Sequence, residues 1–392
     1  MYVAGDPVAA AAIALDLALL AVWDTDNQRA HELCATGLAR LPEGPSAERV
    51  RLLAFDALAI GCLNDSVYAT ALRGVTDARS MATALNDDSL LGLTYVVEQI
   101  VQWSFGRIEM TIAAADEAIR RLTSPADVQW RIDAAGHRAF ALTYAGRFAE
   151  VDSAIGDVLR VAQEVGHTGQ ATWSPFYRAW ASVQRSGDLV GLEARAHEVV
   201  ARVTVVGPFA QLALPWAAMS RAERGNREGA LEAATRARLA FPPTSQFTGL
   251  CDGCELWCMA LLDHPDWSLR FQECEHFVPV AGSPHFTGRR WFAFFLVLAH
   301  MARGELEAAA ALYRVLRQAL DDGWRLGPLQ PVEGLAGLAA AAGNGDVAEA
   351  TFARRWRSST RSGTGSGNPR SQSGTPGCSF AAPAPAIAIR RV

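Results

Sequence analysis

The chain has 392 residues and half of them are hydrophobic, so a large core can form and wholesale disorder is excluded. All 36 basic residues are Arg, and the absence of Lys excludes a P-loop lysine, a protein-kinase lysine, a Schiff base and a Ser–Lys dyad. Residues 1–350 carry 29 Arg against all 41 acidic residues, a formal charge of −12 that argues against nucleic acid as their partner, whereas residues 351–392 carry 7 Arg and no acidic residue.

Residues 7–23 form the first predicted helix, which is apolar but unlike a targeting or membrane-spanning segment. Asp16 interrupts the apolar run, and no Lys or Arg precedes it, so the positively charged start of a signal peptide is missing. The run is also short for a membrane span. The chain has seven cysteines, and an odd number in a chain without a secretory signal argues against a disulfide framework. We therefore expect a cytoplasmic protein without a membrane partner.

Fragments of one form recur along the chain, with an apolar helical run, a Gly, one or two polar residues and a second helical run. Examples are LTYAGRFAEV, AERGNREGAL and HMARGELEAA. The turn glycines are Gly106, Gly146, Gly187, Gly225, Gly304 and Gly345, spaced by 38 to 41 residues except for one interval of 79. That interval contains a second predicted turn at Asp263-His264-Pro265, and further turns are predicted at Asn64-Asp65 and Asp26-Asn27. A period of about 40 residues predicts about nine helical hairpins.

The predicted first helices of these hairpins follow one another at the same period. They are residues 7–23, 47–63, 89–105, 130–145, 171–186, 209–224, 249–263, 288–303 and 330–344. A second helix follows each turn, and most prolines fall in the connections between units, where a missing backbone donor costs little.

The second helices share a register when residues are counted from the turn glycine. Positions +5, +9 and +12 lie on one helical face and carry mostly small or aliphatic residues. They are Thr111, Val151, Leu192, Ala230, Ala309 and Ala350 at +5, Ala115, Ile155, Ala196, Ala234 and Tyr313 at +9, and Ala118, Val158, Val199, Ala237 and Leu316 at +12. Small residues let neighbouring helices approach closely, and a single hairpin cannot bury this face alone. We therefore predict an all-α fold, an α-solenoid of about nine antiparallel hairpins over residues 1–350.

The last unit departs from this register. Its +9 and +12 positions are Arg354 and Arg357, and a segment rich in Arg, Ser, Gly and Pro follows. Because such a segment cannot offset its ordering entropy, residues 351–392 are predicted to be a disordered tail. The absence of Lys indicates a GC-rich, bacterial genome, and GC-rich codons read out of phase give this composition, so we interpret the tail as a frameshifted or truncated end. The alternative is a basic arm for an anionic partner.

The densest group of metal-ligand residue types lies in the seventh hairpin. It consists of Cys251, Cys254, Cys258 and Cys274, with His264 and His276 nearby. Such residues can hold zinc or an iron–sulfur cluster, but C-x2-C-x3-C is not a zinc-finger order and no second C-x-x-C follows. On a helix the first three cysteines share the face where other units place small residues, and Cys behaves there as a small hydrophobe. We predict core packing and no metal or cofactor, with the four cysteines as the alternative metal ligands.

Aromatic residues concentrate in the predicted first helices. In helical-hairpin solenoids the first helix usually lines the concave side, where aromatic side chains can form a groove for a peptide or a small apolar ligand. The groove candidates are Trp103, Trp130, Trp173, Tyr177, Trp180, Trp216, Trp257 and Trp291. The alternative is packing between helices, because aromatic residues at helical spacing are commonly part of a core.

Motifs of catalysis are missing from the sequence. G-x-S-x-G, H-E-x-x-H and G-x-G-x-x-G do not occur, and His137 lies on an apolar helix without a partner signature. The pairs Asp87-Asp88 and Asp321-Asp322 resemble metal carboxylates only weakly and are predicted to lie in solvated loops. We predict that the chain is not an enzyme and has no catalytic residue.

With the units aligned, the chain resembles tetratricopeptide-type repeats. Gly146-Arg-Phe-Ala-Glu, Gly304-Glu-Leu-Glu-Ala-Ala and Gly345-Asp-Val-Ala-Glu-Ala match that family's turn and second helix, although the period is about 40 rather than 34. Longer units are similar to the helical repeat region of large bacterial ATP-binding regulators of the LuxR and maltose-activator type, and of regulators with an adenylate-cyclase domain. Residues 33–59 are especially like the start of that region. The resemblance covers roughly residues 20–353 and implies a sensor arm without the ATPase and output domains.

These features together predict a non-enzymatic helical-repeat scaffold that binds a protein segment or a small effector on its concave face. One alternative is a sensor or regulatory fragment of an ATP-dependent transcriptional or adenylate-cyclase-type regulator. Another is an α-helical enzyme, which would need converging acid, base or metal groups. An apolar end face on a terminal repeat would also lead to self-association.

Overall fold

The computed structural model describes residues 6–63, 67–202, 207–242, 245–327, 329 and 331–343, and within these ranges the chain folds into α-helices joined by short turns. In chain order the helices are α1 (Pro7–Trp23), α2 (Asn27–Leu38), α3 (Ala47–Gly61), α4 (Tyr68–Ala84), α5 (Asp88–Ser104), α6 (Ile108–Arg121), α7 (Val128–Tyr144), α8 (Phe148–Val165), α9 (Thr168–Ser186), α10 (Leu189–Arg202), α11 (Leu214–Glu223), α12 (Arg227–Ala240), α13 (Thr248–Leu261), α14 (Trp267–Cys274), α15 (Thr287–Arg303), α16 (Leu306–Ala311), α17 (Tyr313–Asp321) and α18 (Val332–Gly343). All described residues belong to one compact unit, Met1–Glu349. Among the described helices, none has both the length and the apolar character needed to cross a membrane.

The predicted all-α class is confirmed for the described residues, and each of the nine predicted first helices has an observed counterpart. The counterparts are α1, α3, α5, α7, α9, α11, α13, α15 and α18, and their ends lie within five residues of the predicted ones. The largest difference is at α11, which begins at Leu214 because residues 207–213 first form a 3-10 turn. The predicted tail at residues 351–392, with Arg354 and Arg357, and the turns at Asn64-Asp65 and Gly345 lie outside the described residues.

The helices pack in neighbouring pairs and in two layers. Each second helix from α2 to α12 contacts the first helices before and after it, as α2 does with α1 and α3 and as α6 does with α5 and α7. First helices also contact one another, in the pairs α1–α3, α3–α5, α5–α7, α7–α9, α11–α13 and α13–α15. The first helices therefore form one layer, which carries most of the bulky core, and the second helices cover it.

The turns that close the first helices contain a residue in the left-handed region. At Gly225 φ is 86°, and the backbone N–H of Asn226 donates to the carbonyl oxygen of Arg221 at 2.9 Å. This is the hydrogen bond of a helix end that requires a left-handed residue, which Gly adopts without a steric penalty from Cβ. The same conformation occurs at the other described turn glycines, Gly106, Gly146, Gly187 and Gly304.

Two hairpins build the same turn without Gly. The predicted turn at Asp263 is confirmed, because Asp263 has a φ of 50° and His264 N–H donates to the carbonyl oxygen of Met259 at 3.0 Å. In the first hairpin the left-handed residue is Thr25, with a φ of 61°, which lies one residue before the predicted Asp26-Asn27 turn. The left-handed turn thus forms without Gly in these two hairpins. In the sequence, only their spacing from the neighbouring turns indicated them.

The predicted stripe at positions +5, +9 and +12 is buried in α6, α8, α10 and α12. At +9, for example, Ala115, Ile155, Ala196 and Ala234 are all fully buried. The prediction is wrong for Tyr313, which is 38% exposed. Because α16 ends at Ala311 and α17 begins at Tyr313, the register shifts there and Leu312 is buried instead. Ala350 lies outside the described residues.

Candidate functional site

The eight aromatic residues predicted to line a groove lie in the layer of first helices, and most of them are buried. The buried ones are Trp173, Tyr177, Trp180, Trp216, Trp257 and Trp291, none of which is more than 7% exposed. Trp103 and Trp130 are half-buried. In this conformation the six buried side chains have no surface that a partner could contact. They pack between helices, as the alternative interpretation of the sequence predicted.

Aromatic rings from distant hairpins pack against one another in the interior. Trp180 lies 5.2 Å from Trp216, and Trp216 lies 5.4 Å from Trp291, measured between ring centroids and with the rings nearly perpendicular. Tyr144 lies 5.6 Å from Trp291 and 4.6 Å from Trp324 in the same edge-to-face arrangement. Such pairs stabilise a core beyond the burial of their area. The rings from α7, α9, α11 and α15 therefore form part of one buried core and do not line an open groove.

Residues 322–326, after α17, complete this interior. The side chain of Trp324 is fully buried, and its Nε1–H donates to the carbonyl oxygen of Gly106 at 2.8 Å. The backbone N–H groups of Arg325 and Leu326 both donate to the carbonyl oxygen of Tyr144, at 2.7 and 3.0 Å. The segment thus ties the end of the eighth hairpin to the third and fourth. Sequence reasoning missed Trp324, because nothing in its neighbourhood signals contacts with residues so distant in the chain.

Asp322 lies between two arginines from different hairpins. Its carboxylate is 2.5 Å from Nη2 of Arg290 on α15, and it also pairs with Arg107 at the start of α6. The side chains of Asp322 and Arg290 are only 8% and 3% exposed. Placing Asp322 in a solvated loop is therefore wrong, whereas its neighbour Asp321 is exposed. Burial lowers the pKa of Arg290, and the Asp322 carboxylate opposes that shift.

The remaining polar candidates do not come together. Asp87 caps α5 by accepting a hydrogen bond from Leu90 N–H at 2.9 Å, and Asp88 is exposed beside Arg121. His137 is half-buried, with Nδ1 3.0 Å from the carbonyl oxygen of Asp133. These three side chains serve helix ends and local packing rather than one site.

The cysteines of the seventh hairpin are buried side chains of the core. Cys251, Cys254 and Cys258 are fully buried on α13, and Cys274 is 1% exposed on α14. Burial raises the pKa of Cys251 and Cys254 well above the usual thiol range, so both stay protonated. In the described part of the chain, no group of three or more His, Cys, Asp or Glu side chains is arranged to hold a metal ion. His264 instead accepts from the N–H of Asp266 at 3.2 Å, and His276 is exposed.

Helix α14 lacks the buried small-residue stripe of the earlier second helices. The buried residues of α14 are Trp267 and Cys274, and Phe271 is half-buried. Positions +5, +9 and +12, counted from Asp263, are the exposed Ser268, Gln272 and Glu275. Large residues at a helix contact increase the distance between the helix axes. The helix is also only eight residues long. An open groove lies between α14 and the preceding second helix, α12.

The α12–α14 groove consists of two adjoining recesses of about 520 and 280 Å³, which share Leu231 and Thr235. Its apolar side chains are Leu231, Leu239, Met259, Leu262 and Leu269, and Leu239 and Leu269 are 69% and 62% exposed. Its acidic side chains are Glu228, Glu232, Glu255, Asp266 and Glu273, against the two arginines Arg236 and Arg270. The groove thus combines exposed leucines with a surplus of carboxylates.

A buried ion network forms the floor of this groove. Nε of Arg270 and Nε of Arg238 each lie 2.8 Å from the Glu255 carboxylate, and Arg270 also pairs with Asp252. Burial raises the pKa of Asp252, whereas the two guanidinium groups outweigh the effect of burial on Glu255 and lower its pKa. Because Asp252 and Glu255 neutralise the charge of Arg270, the other carboxylates give the rim of the groove a negative charge.

The chain was compared with models of known protein families and with curated protein sequences, and neither comparison gives a match.

We predict that Asp322→Asn lowers the free energy of unfolding by about 3 kcal/mol, because it leaves the buried Arg290 charge without its carboxylate. Urea unfolding followed by tryptophan fluorescence measures the change. The matched control is Asp321→Asn at the exposed neighbouring position, which should change the free energy by less than about 0.5 kcal/mol. Equal effects of the two substitutions would show that the Asp322 contacts do not hold the interior together.

The six described cysteines should be unreactive in the folded protein, since all of them are buried. The experiment uses a Cys378→Ser variant, which removes the seventh thiol, and follows the reaction with a disulfide reagent at pH 8. We expect no fast labelling of the native protein and six thiols after unfolding in guanidinium chloride. A chelator should leave the melting temperature unchanged, whereas thiols that become reactive only after chelation would reveal a metal site.

Proposed function

We propose that this chain is a non-enzymatic helical-repeat scaffold that binds a basic segment of another protein in the α12–α14 groove. In this proposal the hairpins form an α-solenoid of tetratricopeptide-like units with a period of about 40 residues. The observation that carries the proposal is the coexistence of exposed leucines and surplus carboxylates in one continuous recess.

The shape of the groove favours a polypeptide over a small effector. A small ligand is bound in a cavity that encloses most of its surface, whereas this recess is open along its length between two helices. An amphipathic helix instead lays one apolar face into such a groove, with anchors at helical spacing. Leu239 and Leu269 would contact the apolar face, and Glu228 and Glu232 would meet Arg or Lys side chains at its edge.

The groove replaces the concave face as the proposed binding surface. Trp180, Trp216 and Trp291 contact one another, so a ligand on that face would first have to separate rings that are already packed. The leucines of the α12–α14 groove, in contrast, are exposed before any partner arrives. Binding there needs no rearrangement of the core, which keeps the cost of association low.

The resemblance to the repeat region of bacterial regulators supports a role of the same kind. We propose that the chain acts in the cytoplasm as the sensor arm of such a regulator and that the bound segment belongs to a regulatory partner. Electrostatic attraction between the acidic groove and a basic segment would also speed their association at low salt.

The test uses a fluorescent 18-residue amphipathic peptide with leucines on one face and arginines on the other, titrated into the full chain. We expect saturable binding that weakens at least tenfold, or by about 1.4 kcal/mol, in the Leu239→Asp, Leu269→Asp double variant. Charge reversal by Glu228→Arg and Glu232→Arg should weaken binding comparably and remove its dependence on salt.

The controls are substitutions of the same kind elsewhere on the second helices. Val190→Asp on α10 changes an apolar residue that is 60% exposed, and Glu307→Arg on α16 reverses an exposed carboxylate. Both should leave the peptide affinity within about twofold of the unchanged chain. The proposed site is contradicted if the groove variants bind as tightly as these controls, or if a peptide with Glu in place of Arg binds equally well.

A further inference from the structure

The segment between α17 and α18 crosses the ends of three successive hairpins. Its described residues are 322–327 and 329, and we call them the strap. The strap begins beside α6, where Ile108 N–H donates to the carbonyl oxygen of Asp322 at 3.3 Å. It ends beside α9, where Nε2 of Gln184 donates to the carbonyl oxygen of Leu329 at 2.9 Å. Between these two points it passes the end of α7, so it spans the third, fourth and fifth hairpins.

The strap makes the kinds of contact that hold a bound peptide. Trp324 is its central anchor, because its side chain is fully buried and its ring centroid lies 4.6 Å from that of Tyr144 and 5.6 Å from that of Phe294. The indole N–H donates to the carbonyl oxygen of Gly106. On either side of this ring the strap is bound through its backbone, by the carbonyl oxygen of Tyr144 and by the side chain of Gln184. One aromatic anchor in an enclosed site, flanked by polar contacts, is typical of peptide recognition.

Two turn glycines are in close contact with the strap. A Cβ added at Gly106 would lie 2.9 Å from Nε1 of Trp324, and one added at Gly146 would lie 3.2 Å from Cβ of Arg325. At three other turn glycines an added Cβ would meet no heavy atom of a distant residue within 4 Å. These are Gly187, Gly225 and Gly304. The third and fourth turns therefore fit the strap closely, in addition to ending their helices.

We propose that the ends of α5, α7 and α9 form a binding site for an extended segment with a Trp anchor, and that the strap of this chain closes the site in cis. The occupant is thus the chain's own segment, which acts as a tethered ligand. The site shares no residue with the α12–α14 groove. It is open only while Trp324 is withdrawn, so the strap keeps it unavailable in the structure described above.

The strap has a fixed root and a hinge next to its anchor. Asp322 is the root, because its carboxylate pairs with both Arg107 and Arg290, and such charge-assisted bonds are strong. Gly323 follows with a φ of 96°, in the region that Gly adopts without a steric penalty from Cβ. Rotation at Gly323 can withdraw Trp324 while the ion pairs of Asp322 keep α17 in place.

The experiment titrates a fluorescent peptide with the sequence of residues 323–329 into the full chain carrying Trp324→Ala. We expect saturable binding and a higher melting temperature of the variant with peptide, because the peptide supplies the missing ring to the folded state. The unchanged chain should bind the peptide about tenfold more weakly or less, since its own strap occupies the site. A peptide with Ala in place of Trp should bind neither protein.

Two further variants show where the peptide binds. Gln184→Ala, added to Trp324→Ala, should weaken peptide binding by about threefold or more, because it removes the donor to the Leu329 carbonyl oxygen. Trp257→Ala is the matched control, since it removes another buried tryptophan, on α13, without emptying the site. It should not create peptide binding.

A milder substitution covers the case in which circular dichroism shows that Trp324→Ala does not fold. Trp324→Phe keeps an aromatic ring in the site and loses only the hydrogen bond to Gly106, so it should fold and bind the peptide measurably. The proposal is overturned if a folded Trp324 variant binds no peptide, or if the unchanged chain binds it as tightly as the variant. It is also overturned if Trp257→Ala binds the peptide as tightly as Trp324→Ala, because loosening of the core would then explain the binding.

Discussion

Close approach of helices through small side chains is the constraint on which the rest of this structure depends. Residues such as Ala196, Ala230 and Ala234 let each second helix settle between two first helices, and they are fully buried where they do so. The proposed binding groove lies where this contact is missing. At α14 the buried Trp267 and the half-buried Phe271 pack against His300 of α15, and a groove lies between α14 and α12.

Local features of the sequence were sufficient to predict the helices and most turns. Each first helix has a 3.6-residue apolar pattern, and each first helix whose turn is described ends at a left-handed residue, so both signals come from neighbours in the chain. The burial of Cys254 within α13 followed from the same register. The failure at Tyr313 is also local, because neither Gly nor Pro marks the helix break that turns this residue outwards.

The filled interior could not be predicted from the sequence, because it depends on contacts between residues far apart in the chain. Trp324 donates to Gly106 across 218 positions, and Arg107 meets Asp322 across 215. Periodicity says that first helices stack, but it does not say how tightly the stack curves. In the structure Trp180 and Trp291 contact each other, with their ring centroids 6.3 Å apart, and do not line an open groove. The candidate site therefore lies in the α12–α14 groove and not among the predicted aromatic residues.

The most direct test of the central claim compares the same register position in two hairpins. Position +9 is Ala234 in α12, which is fully buried, and Gln272 in α14, which is exposed. Ala234→Leu should lower the free energy of unfolding by about 1–3 kcal/mol because the added side chain has no room. Gln272→Leu should change it by less than about 0.5 kcal/mol. Equal tolerance of leucine at both positions would contradict packing through a small-residue stripe.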